Sequence, residues 1–157
     1  MISIDDFLLF ADRTLDGFRR SLARLDDSTV NRKPDLPGSN SPYQLVVHTM
    51  SAVDWWTSHI VLGEPSDRDR PAEFEAAGTV AELRSVLDTG QAKLHDLADR
   101  LDAATVAVNK PETQTPLARE WTVGACLIHA YEEMAQHLGH LELTVDLVSE
   151  AVAGEVR

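Results

Sequence analysis

Residues 121–148 read WTVGACLIHAYEEMAQHLGHLELTVDLV, and their apolar residues recur with the 3.6-residue period of an amphipathic α-helix. Thr122 can cap the start of this helix, which we predict to continue to about Val152. The apolar stripe consists of Val123, Leu127, Ala130, Met134, Leu138, Leu141, Val145 and Val148. Such a stripe predicts that one face of the helix is buried against other helices.

Three further amphipathic helices are predicted on the N-terminal side of this one. The first covers about residues 3–25 and has an apolar residue at nearly every helical repeat. The second covers about residues 41–62 and begins with a capping box that Gln44 completes. The third covers about residues 79–101, and Glu82 completes its capping box. Four such helices predict an all-α, four-helix-bundle domain spanning residues 1–157.

The segments between these helices are polar, contain proline, and are predicted to be loops. They cover residues 26–40, 64–78 and 106–120, so each is longer than the usual connection in a minimal bundle. Residues 106–108 have strand propensity, but we find no nearby segment that would pair with them. We expect some of these long connections to shape the entrance to a pocket.

Composition excludes several classes of function. The formal net charge is -12, which disfavours binding to a nucleic-acid backbone or to an anionic membrane surface. The single cysteine, Cys126, excludes an internal disulfide framework and is expected to be a buried core thiol. The N-terminus has no signal-peptide pattern, and no stretch approaches the roughly 20 apolar residues of a membrane span. We therefore expect a soluble, cytoplasmic protein.

The fourth predicted helix carries several side chains that can bind metals. On a helical wheel His137 borders the apolar stripe, and Glu133 lies next to it, one turn away along the axis. His140 and His129 lie further round, and His129 is about 12 Å from His137 along the axis. If one pair faces the bundle interior, it is Glu133 and His137. His140 could serve as a ligand or as a hydrogen-bond partner of one.

The second predicted helix places His48 on its apolar side, close to Trp55 and Trp56. A buried imidazole needs a polar partner, because leaving it unpaired is costly. One histidine from this helix and a Glu/His pair from the fourth could together hold a divalent cation. The alternative is a hydrogen-bonded core histidine beside a solvated Glu/His pair. His59 is about 16 Å too far along the helix to join the same ion.

The sequence resembles the DinB/YfiT-like superfamily in two separated regions. SPYQLVVH at residues 41–48, DWW at 54–56 and GEP at 63–65 resemble the second helix of that superfamily. WTVG at residues 121–124 and HAYEEMAQHLGH at 129–140 resemble its last core helix. The resemblance implies a four-helix bundle with up-down-down-up connectivity, which is often a homodimer.

The resemblance also implies a metal site. Many members bind a divalent metal through one histidine on the second helix and two ligands on the last, which here are His48, Glu133 and His137. The Glu-x-x-x-His spacing is similar to that of mycothiol-dependent maleylpyruvate isomerase. Zinc is the metal expected first, and nickel, iron or manganese would also suit the ligands.

Two functions follow from this resemblance. The first is a metal-dependent enzyme, a thiol S-transferase or hydrolase acting on a small molecule with a low-molecular-weight thiol such as mycothiol. Trp55 and Trp56 are then expected to wall its pocket. The second is a catalytically silent metal-binding or dimeric interaction module.

Overall fold

The computed structural model describes residues 2–111 and 120–155, with residues 151–155 given by their backbone alone. Most of the predicted connection at 106–120 therefore lies outside the described residues. The helices are α1 (Ile4–Leu22), α2 (Pro42–Asp54), a π-helical continuation of α2 (Trp55–Ile60), α3 (Arg70–Glu73), α4 (Val80–Ala98) and α5 (Val123–Glu155). The prediction of an all-α fold is confirmed.

The helices begin where the capping residues predict. Ser41 and Gln44 form both hydrogen bonds of a capping box at the start of α2. Thr79 and Glu82 form the same pair at the start of α4. Thr122 caps α5, because its Oγ1 accepts a hydrogen bond of 3.2 Å from a backbone N–H of the first turn. Local hydrogen bonding thus fixes the start of each of these helices.

Two helices end earlier than their apolar periodicity predicts. We expected α1 to reach Leu25 and α4 to reach Leu101, but they end at Leu22 and Ala98. In both cases the chain tightens into three-residue turns, in which each N–H bonds the carbonyl three residues earlier. Leu25 and Leu101 still pack against the core, so the apolar pattern continues beyond the helix itself.

Side-chain contacts fix the directions of the four long helices. The contacts that do so are Phe10–Tyr131 and Gly17–Leu138 for α1 and α5, Asp12–His95 and Arg19–Asp88 for α1 and α4, and His48–His137 and Trp56–His129 for α2 and α5. Helix α5 is therefore parallel to α1 and antiparallel to α2, while α4 is antiparallel to α1. The bundle is up-down-down-up, as predicted.

Two of the three connections are long because the helices that they join do not lie side by side. Helices α1 and α2 each pack against both α4 and α5, so α1 and α2 occupy diagonal corners of the bundle. The same holds for α4 and α5. The chain between each diagonal pair must cross an end of the bundle, which a short turn cannot do.

Two predictions about the connections are wrong. We predicted that residues 64–78 form only a loop, but they contain the single-turn helix α3, which Asp69 caps. We also predicted no partner for residues 106–108. Val106 forms a β-bridge with Thr122, and the N–H of Ala107 donates to the carbonyl of Trp121 at 2.9 Å. This pairing joins segments that are distant in sequence, so local pattern does not reveal it.

The core lies among the four long helices and includes Cys126, which is completely buried. Its burial as a core thiol is confirmed, and burial raises the pKa of this thiol to about 11. Among the described residues, none of the helices has the length and apolarity needed to cross a bilayer.

Candidate metal centre

His48, Glu133 and His137 converge between α2 and α5. One ligand atom from each lies within 4.8 Å of the ligand atoms of the other two. The rings of His48 and His137 are 4.9 Å apart between centroids and nearly perpendicular, at 83°. His48 is buried, whereas the side chains of Glu133 and His137 are 27% and 21% exposed. The group thus has one buried side and one side that is partly exposed to solvent.

Glu133 is held between two histidines of its own helix. Its carboxylate oxygens lie 3.5 Å from Nε2 of His129 and 3.5 Å from Nε2 of His137. The hydrogen-bonding interaction with His129, followed in size by that with His137, holds the pKa of Glu133 far below its usual range, although burial opposes it. Glu133 is therefore an ionised carboxylate at neutral pH, which is the form that binds a cation.

His137 provides a test of whether these side chains fit a metal ion. Its Nδ1 is buried and has no hydrogen-bond partner among the described residues. An imidazole nitrogen left in that state is costly, and a bound cation is one group that would satisfy it. Two imidazoles and a carboxylate are also the ligands of many open zinc sites, in which a further position is left for water or substrate. The residues present therefore fit a divalent metal.

His48 has the polar partner that its burial requires. Its Nδ1 lies 2.6 Å from Oε2 of Glu73, which is also buried. Ser51 donates to Oε1 of Glu73 at 2.6 Å, and Arg68 donates to both carboxylate oxygens, at 2.7 and 3.1 Å. Glu73 thus receives hydrogen bonds from three side chains in the interior.

Opposing influences act on the ionisation of this network. Burial tends to raise the pKa of Glu73, but the hydrogen bonds from Arg68, Ser51 and His48 outweigh it and lower that pKa. Burial also lowers the pKa of His48, although the hydrogen bond to Glu73 acts in the opposite direction. At neutral pH, His48 is therefore a neutral imidazole beside the ionised carboxylate of Glu73.

Neither Glu73 nor Arg68 was predicted from the sequence to belong to the site. The available signal was weak: Asp69 followed by Arg-Pro is a helix start, and a short helix could have been placed there. Nothing in the local sequence indicates that the fourth residue of that turn is buried against α2.

Aromatic side chains pack around His129, the neighbour of Glu133. Trp56 is buried, and its ring centroid lies 4.2 Å from that of His129 and 5.2 Å from that of Trp121. Trp56 belongs to the π-helical turn, a rare element that is often found at functional sites. Trp55 is more exposed, and the guanidinium of Arg68 lies 5.9 Å from its ring. Trp56 is thus a core residue, and Trp55 contacts the segment that carries Glu73.

His140 and His129 lie beside the three converging residues but outside the group. His140 is exposed, and its ring stacks on that of His137 at 6.2 Å between centroids. Two effects lower the pKa of His140: the partial burial of its ring and, to a smaller extent, electrostatic repulsion from His137. His129 contacts Glu133 on the side away from His137.

His59 and His95 are remote from the group. Nδ1 of His59 donates to the carbonyl of Glu64 at 2.7 Å, at the C-terminal end of the extended second helix. Nε2 of His95 lies 3.0 Å from a carboxylate oxygen of Asp12. Both histidines have partners of their own, and His59 lies outside the group, as its distance along the second helix predicted.

A separate cavity of about 490 Å³ lies between α2 and α4. Its walls are mainly apolar, and the ion pair between Asp54 and Lys93 stands at its edge. Gly90 and Met50 lie in the wall, where a Cβ atom on Gly90 would overlap the methionine methyl group. The cavity shares only Ser51 with the network around His48.

The fold is a four-helix bundle that brings a His/Glu/His group together between two of its helices, the place where helical bundles build ligand and metal sites. The chain belongs to the DinB superfamily, whose family model matches residues 11–141. A comparison with curated proteins gives no match.

Two solved structures resemble the whole bundle. One is a conserved protein from Enterococcus faecalis, with a TM-score of 0.71, 20% identity, and coverage of 96% of this chain and 99% of that one. The other is a histidine-to-alanine mutant of mycothiol-dependent maleylpyruvate isomerase, with a TM-score of 0.63 and 18% identity. That match covers 89% of this chain and 61% of the isomerase chain. At these identities the two likenesses establish the fold.

Proposed function

We propose that this protein is a metal-dependent enzyme of the DinB/YfiT-like type, a low-molecular-weight-thiol transferase whose divalent cation is held by His48, Glu133 and His137. The observation that supports the proposal best is the convergence of three ligand atoms within 4.8 Å between two helices. His137 also approaches Glu133 through its Nε2, at 3.5 Å, so that two of the three ligands already face each other.

The residues of the site have distinct roles in this proposal. A divalent cation bound there would lower the pKa of a bound thiol or water and so supply a nucleophile at neutral pH. His48 and His137 provide neutral nitrogen ligands, and Glu133 offsets part of the cationic charge. Buried Trp56 packs against His129, the histidine on the other side of Glu133. Zinc suits these ligands best, and nickel, iron and manganese are the alternatives.

The thiol in the proposal comes from the similarity to mycothiol-dependent maleylpyruvate isomerase. A thiol sulfur is a good ligand for zinc, and a site with three protein ligands leaves a position for it. We therefore propose mycothiol, or another small thiol, as the co-substrate and a small electrophilic molecule as its acceptor.

The first experiment is a zinc titration of protein purified without a histidine tag, with elemental analysis of the protein as isolated. We expect one tightly bound ion per chain, and a loss of affinity of at least about 100-fold in His48→Ala, Glu133→Ala and His137→Ala. His59→Ala and His95→Ala are the matched controls, because these histidines have their own partners outside the group. Full zinc stoichiometry and unchanged affinity in His48→Ala and His137→Ala would overturn the assignment.

The second experiment separates an enzyme from a binding module. Zinc-loaded protein is assayed for transfer of mycothiol, glutathione and cysteine to small electrophiles. Thiol transfer that depends on both zinc and His137 supports the proposal. Hydrolysis without a thiol would replace the transferase by a hydrolase, and metal binding without any turnover would identify a catalytically silent module.

A further inference from the structure

The four hydrogen bonds around Glu73 leave its carboxylate fully occupied in the interior. Oε1 accepts from Ser51 and from Nε of Arg68, while Oε2 accepts from Nη2 of Arg68 and faces Nδ1 of His48. Glu73 and His48 are 25 residues apart in sequence, and α3 places this carboxylate against α2. The connection between the second and third long helices is therefore part of the surroundings of the candidate metal centre.

The geometry determines which nitrogen of His48 carries the proton. A carboxylate paired with an arginine can only accept hydrogen bonds, so the nitrogen 2.6 Å from it must be protonated. In a neutral imidazole with a proton on Nδ1, the lone pair lies on Nε2. A histidine that ligates a metal commonly donates its other N–H to a carboxylate, which fixes the tautomer and the ring orientation.

We propose that Glu73, braced by Arg68 and Ser51, is a positioning residue that holds His48 in the Nδ1–H tautomer and leaves Nε2 as its ligand atom. The inference rests on the proposed metal function and extends it to a segment of the chain that contains none of the ligands. Arg68 acts through Glu73, since its two hydrogen bonds fix the orientation of the carboxylate plane.

Long-range ¹H–¹⁵N NMR spectra of the metal-free protein test the tautomer directly. We expect His48 to carry its proton on Nδ1 in the wild-type protein and in Glu75→Gln. In Glu73→Gln we expect a mixture of tautomers, because an amide can donate as well as accept. Glu75→Gln is the matched control, since Glu75 lies in the same connection and is exposed. A wild-type His48 with its proton on Nε2 overturns the inference without any variant.

Zinc affinity, measured by competition with a chromophoric chelator, gives the second readout. We expect Glu73→Gln to bind zinc about 10–100-fold more weakly and Glu75→Gln to match the wild type. Arg68→Lys keeps the charge but loses the two-pronged contact, so we expect a smaller loss of affinity. If Glu73→Gln does not fold, Arg68→Lys and the wild-type tautomer still decide the question. Unchanged affinity and tautomer in both folded variants would refute the positioning role.

The two proposals fail in different ways. If the wild-type protein binds no zinc but its His48 tautomer changes in Glu73→Gln, the metal function is wrong and Glu73 still positions the ring. If zinc binds tightly in all variants and the tautomer is unaffected, the metal function stands and the role of Glu73 is refuted.

Discussion

Two glycines in the bundle helices lie in opposite surroundings, and their replacement by alanine should have opposite effects. Gly17 is at the contact between α1 and α5, where a Cβ atom would meet three atoms of Leu138, at 2.5, 3.0 and 3.3 Å. Gly139 lies on the exposed side of α5, and a Cβ atom there would have no neighbour within 4 Å. Leu138 directly follows the candidate ligand His137, so the first substitution also presses on the site.

The expected magnitudes follow from two competing effects. Alanine is favoured over glycine in a helix interior by about 1 kcal/mol, and both positions gain this amount. Gly17→Ala also overpacks the core, which typically costs ~1–3 kcal/mol. Leu138 must shift to make room for the added Cβ atom, and its packing against the core limits that shift. We expect Gly139→Ala to stabilise the protein by up to about 1 kcal/mol. We expect the Gly17→Ala variant to be less stable than the Gly139→Ala variant by ~1–3 kcal/mol.

The assay is urea unfolding of both variants and the wild type, followed by circular dichroism at 222 nm. Equal slopes against urea would show that the three proteins unfold in the same way, so their midpoints can be compared. The helix-propensity contribution is common to both substitutions, and the difference between the two variants therefore isolates the contact with Leu138. If Gly17→Ala were as stable as Gly139→Ala, the close packing of α1 on α5 would be refuted.

Three further outcomes follow from the described structure. Burial raises the pKa of Cys126 from 9.0 to about 11, so the fraction of thiolate at pH 8 is about 100-fold lower in the folded protein than in the unfolded chain. The folded protein should therefore react with Ellman's reagent at least about 100-fold more slowly than the urea-unfolded chain. Because of the same pKa shift, the folded state binds the thiol proton more tightly than the unfolded state does. The free energy of unfolding should therefore be highest below pH 9 and should decline by about 3 kcal/mol as the pH rises through 11. A comparable decline in Cys126→Ala would exclude the thiol as the cause. His140→Ala should change zinc affinity by less than about threefold, because the ring is exposed and lies outside the group of three; a loss as large as that in His137→Ala would instead make His140 a ligand.

The sequence allowed the long helices and their convergence to be predicted because the signals are local. Capping boxes at Ser41 and Thr79 depend on residues three positions apart, and both were found where expected. The wheel position of Glu133 and His137 beside the apolar stripe also follows from spacing alone. In the structure this pair lies close to His48.

The features that were not predicted depend on contacts between distant segments. Glu73 belongs to a single-turn helix in a polar connection, where a glutamate is ordinarily solvated, and it is buried only because Arg68 and Ser51 surround its carboxylate. The bridge between Val106 and Thr122 likewise depends on how the two ends of the connection between α4 and α5 come together. The π-helical turn at Trp55–Ile60 follows an ordinary α-helix, and no residue type in it signals the change.

The up-down-down-up order has a consequence for how the candidate centre could assemble. Helices α2 and α5 are neighbours in space, but the chain completes α4 and crosses the bundle before it reaches α5. A nascent or truncated chain that stops after α4 contains His48 and its brace Glu73 but neither partner ligand. The long chain between α2 and α5 must therefore fold before the three ligands can bind an ion tightly. An ion held between these helices would act as a reversible cross-link that forms only in the completely assembled bundle.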